Sequence, residues 1–169
     1  MGDGQSIPGS SALLDAFALT GNVALVTGSG RGLGWGMARF AAQAGAHVVL
    51  NGRDEAALRA RAEELRSESL AASVAAFDVT DADAIAAGVR ATVERCGHID
   101  VLVNNAGIQN RKPFHTYTPE EWRRIVGTHL DGAFLVTRAV VPHMLARRSG
   151  RIIMIGSIAG ERVRGTITA

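Results

Sequence analysis

Along the chain, short and largely apolar runs alternate with longer stretches in which apolar residues return every three or four positions. The runs are 23–26 (VALV), 47–50 (HVVL), 73–77 (SVAAF), 99–103 (IDVLV) and 151–155 (RIIMI). The periodic stretches are 33–44, 55–68, 81–95 and a longer one from 119 to 148. A short apolar run predicts a strand covered on both faces, and the three-to-four period predicts a helix. In 55–68 the stripe is Ala57, Leu58, Arg61, Ala62 and Leu65, with Asp54 placed to cap it. Gly45 stops the preceding helix. Strict alternation of strand and helix predicts an α/β fold, a doubly wound parallel sheet with helices on both faces. Neither a tandem repeat nor a low-complexity tract interrupts the pattern. Residues 1–14 read as a flexible tail, which leaves 15–169 as one domain.

Composition narrows the picture. A chain of 169 residues, 47% hydrophobic and 20% charged, suits one soluble domain with a packed core. The net charge is +2 and the arginines are scattered, which argues against a nucleic-acid surface. Cys96 is the single cysteine, so no internal disulfide forms, as expected of a cytoplasmic protein. Apolar stretches fall far short of the roughly 20 residues of a membrane span. The first residues lack a positive region followed by an apolar one, so no signal peptide is expected. No metal site is expected either.

The chemistry gathers at strand ends. The first apolar run leads straight into TGSGRGLG, residues 27–34, with four glycines in eight positions. Glycine costs roughly 0.5–1 kcal/mol relative to alanine inside regular structure, so bare backbone must be needed there. In a doubly wound sheet this turn is where main-chain N–H groups and the next helix's dipole meet a pyrophosphate. The spacing Gly28-x-x-x-Gly32-x-Gly34 differs from the usual G-x-G-x-x-G of dinucleotide-binding (Rossmann-type) turns. The second run ends in Asn51-Gly52-Arg53, without the carboxylate that would take a free 2′-hydroxyl. A guanidinium there suits a 2′-phosphate, and Arg31 adds a second positive group. NADP is therefore the expected cofactor, ahead of NAD.

TGSGRGLG, Asp78-Val79, NNAG at 104–107 and Ile155-Gly156-Ser157 occur in an order and spacing that resemble the short-chain dehydrogenase/reductase family. The resemblance runs from about residue 20 to 169. It implies that Gly28, Ser29, Arg31, Gly32, Leu33 and Gly34 line the pyrophosphate and adjacent ribose. Arg53 would meet the adenosine ribose or its phosphate. Asp78 would accept from the adenine amino group beside the Val79 N–H. Asn105, Ala106 and Gly107 would back the cofactor, with Asn104 structural. Ser157 would donate to the substrate oxygen as a catalytic residue. The family's tyrosine and lysine fall just past Ala169, and Tyr117 lies too early to replace the tyrosine. The chain is accordingly expected to be the front portion of a longer enzyme, with apolar surface and a sheet edge left uncovered. His129 stands where the family usually has a relay asparagine, and it either serves that catalytic relay or fills the space.

The loop Ile108-Gln109-Asn110-Arg111-Lys112-Pro113-Phe114 is similar to that of the family's gluconate 5-dehydrogenase group. It implies a small-molecule substrate, a polyhydroxy keto acid, with D-gluconate and 5-keto-D-gluconate interconverted. Arg111 would fork onto the carboxylate and Glu161 would accept from hydroxyls. The alternatives are another ketone or 3-oxoacyl reductase of the family, or a nucleotide-binding protein without catalysis. A homotetramer, joined through helices in 122–148, is also implied.

Overall fold

The structure, a computed structural model, describes residues 15–157. Five strands form one parallel sheet: β1 (Val23–Val26), β2 (His47–Gly52), β3 (Ala72–Ala76), β4 (Val101–Asn104) and β5 (Arg151–Met154). Five α-helices connect them: α1 (Gly32–Gln43), α2 (Glu55–Ser67), α3 (Ala82–Cys96), α4 (Pro119–Val126) and α5 (Gly132–Arg147). The strand order is β3-β2-β1-β4-β5, all parallel. The chain thus winds outward from β1 to β3, then crosses back to β4 on the other side. The crevice between the C-terminal ends of β1 and β4 is the switch point where such sheets bind ligands.

Alternate residues of the central strands feed two cores. Val23 and Leu25 join Val49, Ile85, Val89, Leu102 and Val136 under α3 and α5. Ala24 and Val26 join Ala38, Val48, Leu50, Leu58 and Leu65 under α1 and α2. All four β1 residues are buried, which is why its sequence is apolar without alternation. At the N-terminal ends of β1 and β4, Asp100, 8% exposed, accepts from the Val23 N–H at 2.8 Å and pairs with Arg147 at 2.7 Å and His98 at 2.9 Å. Burial opposes its ionisation, but the Val23 N–H, Arg147 and His98 outweigh it and hold the carboxyl below its ordinary range. This carboxylate fastens β1, β4 and the end of α5 together.

Two expectations change. β2 continues through Asn51 and Gly52, which pair with Ala75 and Ala76, although the apolar run stops at Leu50. The long helical region is split: a π-helical turn, Gly127–Asp131, separates α4 from α5. The predicted tail, residues 1–14, lies outside the described residues. No described helix is long and apolar enough to cross a membrane.

Candidate functional site

The β1–α1 loop is clamped to the end of β4. Thr27 Oγ1 accepts from the Asn105 and Ala106 N–H groups at 2.9 and 3.0 Å. Asn105 Nδ2 donates back to the Thr27 carbonyl at 2.8 Å. Gly28 has φ +65°, and a Cβ there would lie 2.9 Å from the Ala106 Cα. A Cβ on Gly34 would collide with the Gly28 carbonyl oxygen and the Asn105 amide. Gly32, at φ +58°, has nothing within 4 Å of a would-be Cβ, so its bare backbone faces open space.

What the loop presents is an unanswered helix start. Asp54, Asp81 and Thr118 each accept a main-chain N–H at the starts of α2, α3 and α4. Arg31, at the start of α1, makes no such bond, and the first turn holds no acidic residue. The first N–H groups of α1 and its positive dipole end remain available to an external anion. A cleft of about 990 Å³ opens over them, lined by Arg31, Gly32, Leu33, Arg53, Asp78 and Gly107 among others. Gly28, Gly34, Val79, Asn105 and Ala106 also face it. These residues fit a dinucleotide: donors for phosphate at one end and a long groove beyond.

Ser29 is corrected. It is fully buried, its hydroxyl accepts from the Asn51 N–H at 2.9 Å, and it is not among the residues lining the cleft. It fastens the loop to β2 instead of facing a ligand. Asn51 is a further organiser that the sequence did not single out. Its Nδ2 donates to the Ala75 and Phe77 carbonyls at 2.9 and 3.2 Å, and its Oδ1 is buried without a partner among the described residues. Arg53 and Asp78 then face each other across the strand ends at 3.8 Å. Asp78 Oδ1 accepts from the Thr80 N–H and hydroxyl at 2.9 and 2.8 Å. Burial opposes ionisation of Asp78, but the two Thr80 donors and the Arg53 charge outweigh it and hold the carboxyl below its ordinary range.

At the other end, the π turn delivers His129 to the NNAG loop. Its Nε2 lies 2.8 Å from the Ile108 carbonyl and 3.1 Å from the Ile108 N–H. A Cβ on Gly107 would sit 2.5 Å from the ring. His129, Thr27, Asn104, Thr128, Met154 and Ile155 surround a small cavity of about 80 Å³. Asn104 Nδ2 donates to Thr137 Oγ1 at 2.9 Å, so it ties β4 to α5. Ser157 is exposed, two residues beyond Ile155. Glu161 lies outside the described residues.

The loop after NNAG is prefolded by Glu121. That carboxylate takes Lys112, the Asn110 amide at 3.1 Å and the Thr118 N–H at 2.9 Å. The Lys112 bond foremost, with the Thr118 and Asn110 donors, holds its carboxyl at about 2. The Tyr117 hydroxyl donates to the Asn110 carbonyl. Lys112 is therefore neutralised, whereas Arg111 beside it is exposed and makes no ion pair among the described residues. Arg123 and Arg124 also line the cleft, a contribution the sequence pattern did not signal.

Residues 22–169 match the family model described as short chain dehydrogenase. The chain is 43% identical over 150 residues to the gluconate 5-dehydrogenase of Gluconobacter oxydans, covering 89% of this chain and 59% of that protein. It is 43% identical over 142 residues to the acetoacetyl-CoA reductase of Paracoccus denitrificans, covering 83% and 56%. A crystal structure of a gluconate 5-dehydrogenase from Burkholderia cenocepacia in complex with NADP and tartrate superposes with a TM-score of 0.88 at 45% identity, covering 92% of this chain and 61% of that one. The chain thus spans about three-fifths of the length of these relatives.

Proposed function

The chain belongs to the short-chain dehydrogenase family, and from that premise we propose that it carries the NADP-binding part and the substrate-polarising serine of an oxidoreductase interconverting a sugar acid and its keto form. The observation that carries this reading is the α1 start: glycines pressed against the end of β4, a first turn that no side chain caps among the described residues, and Arg53 in the same cleft. The relatives named for gluconate and for NADP support it.

In this reading the α1 N–H groups, with Arg31, hold the pyrophosphate. Arg53 forks onto the 2′-phosphate. Asp78 and the Val79 N–H meet the adenine, while Asn105, Ala106 and Gly107 form the wall behind the cofactor. When bound, the nicotinamide supplies or takes the hydride. Ser157 donates a hydrogen bond to the substrate oxygen. Arg111, which makes no ion pair among the described residues while Glu121 occupies Lys112, would take a substrate carboxylate. Glu161 would accept from substrate hydroxyls. His129 holds the Ile108 peptide at the edge of the site and relays a proton from there. Residues 15–169 act as one nucleotide-binding unit in a cytoplasmic homotetramer.

A second reading, reduction of a 3-oxoacyl thioester, is favoured by the likeness to acetoacetyl-CoA reductase. Binding decides the first step. Titrating the chain with NADPH and NADH should show tighter NADPH binding. Arg53→Ala should weaken NADPH by about tenfold or more, the worth of a charge-assisted bond, and leave NADH nearly unchanged. Equal losses for both would remove the phosphate assignment. In an active protein bearing these residues, Arg111→Ala should raise KM for 5-ketogluconate far more than for an acetoacetyl thioester; the reverse result favours the second reading.

A further inference from the structure

We infer that Asp78 sets how strongly the cleft prefers 2′-phosphorylated nucleotides, because it competes for Arg53. The inference rests on the nucleotide reading above and adds a residue to the discrimination. Its basis is a fixed spacing. Asp78 Oδ1 is occupied by Thr80, so Oδ2 is the oxygen turned to Arg53 Nη1 at 3.8 Å. The two residues ride on adjacent strand ends that cannot drift apart. The Phe77 N–H donates to the Gly52 carbonyl at 3.1 Å, and Asn51 Nδ2 holds both the Ala75 and Phe77 carbonyls. Arg53 has no other ion pair among the described residues, and the neighbouring Asp54 carboxylate is committed to the Ala57 N–H at 3.0 Å. Both side chains stay open to solvent, 67% and 39% exposed, so the pair is weak and exchangeable.

The consequence differs between ligands. A 2′-phosphate must draw Arg53 away from the carboxylate it faces. A nucleotide with a free 2′-hydroxyl leaves the pair intact. The negative charge of Asp78 therefore subtracts from the affinity for phosphorylated nucleotides alone. An adenine acceptor with no such link would serve both ligands equally.

The test is calorimetric binding of adenosine 2′,5′-bisphosphate and 5′-AMP to the full chain. Asp78→Asn keeps an acceptor for Thr80 and removes the charge. It should raise the ratio of the two affinities by about twofold to fivefold, the range of an exposed ion pair. In an Arg53→Ala background the same change should leave the ratio where it was. Asp78→Ser, which retains a short acceptor, gives the same readout if the asparagine variant misfolds. A ratio that falls or stays constant in the single variant, or rises equally without Arg53, overturns the inference while bisphosphate binding by the wild type keeps the nucleotide reading. A wild-type chain that binds neither probe overturns both.

Discussion

Gly34 bears the tightest steric demand in the loop. A methyl group there would run into the Gly28 carbonyl oxygen and the Asn105 amide, and both are held in place by the Thr27 clamp. Gly36, two residues on in the same helix, has nothing within 4 Å of its would-be Cβ. The two glycines should respond oppositely to alanine. Gly34→Ala should cost about 1–3 kcal/mol of stability, as overpacking does, and should weaken nucleotide binding with it. Gly36→Ala should stabilise by up to about 1 kcal/mol through helix propensity. Thermal or urea melts of both variants check the pair; similar losses at the two sites would mean the clamp is softer than drawn. At this scale the glycines were legible because a missing side chain is itself a sequence feature. Arg53 was legible from its place after a strand. Its pairing with Asp78 was not, because it depends on how β2 and β3 align. Ser29 was misjudged for a related reason: its neighbours in sequence face the cleft, but the turn rotates its own side chain toward Asn51.

Among the elements, α4 opens on a capping box. Thr118 and Glu121 have the capping-box spacing before an amphipathic run, and both reciprocal bonds form. The sequence did not disclose that the same Glu121 also gathers Lys112 and Asn110, which turns a helix cap into the clasp of the substrate-side loop. The pH dependence of that clasp has a definite sign. Its carboxyl is lowered from 4.5 to about 2 on folding. A depressed acid stabilises the fold only while ionised, so its contribution is complete above the ordinary carboxylate range and disappears as pH falls toward 2. The stability difference between the wild type and Glu121→Gln should therefore be constant near neutrality and shrink steadily in acid. Denaturant titrations at several pH values measure it, and a difference that persists undiminished into strong acid would place the loop's anchor elsewhere. The π turn between α4 and α5 escaped the sequence for a physical reason. An extra residue in one turn leaves the apolar pattern running on, yet it is what brings the His129 ring to Ile108.

At the level of the whole molecule, strand–helix alternation announced a parallel sheet, whereas the order β3-β2-β1-β4-β5 is settled by which strand edges pack together in space, which no local pattern carries. Among the described residues, two of the exposed apolar surfaces bear on association. One is a stripe along the π turn and α5, where Leu130, Phe134 and Leu145 are 67%, 61% and 70% exposed. The other is β5, whose Ile152, Ile153 and Met154 are exposed on the outer strand among the described residues. Apolar patches of this kind favour association, and an outer strand offers unpaired main-chain groups as well. The proposed tetramer assigns the contact to the helix stripe, where residues 134 and 145 recur on one face. Phe134→Glu combined with Leu145→Glu should then shift the chain toward monomer in sedimentation, with the cores, which hold neither side chain, unaffected. Ile153→Lys separates the possibilities. If it alone dissolves the assemblies while the helix variant leaves them intact, the strand edge holds the copies together and the helical interface is wrong. If the helix variant is sufficient, the copies meet across α5, and the β5 edge contributes nothing to their contact.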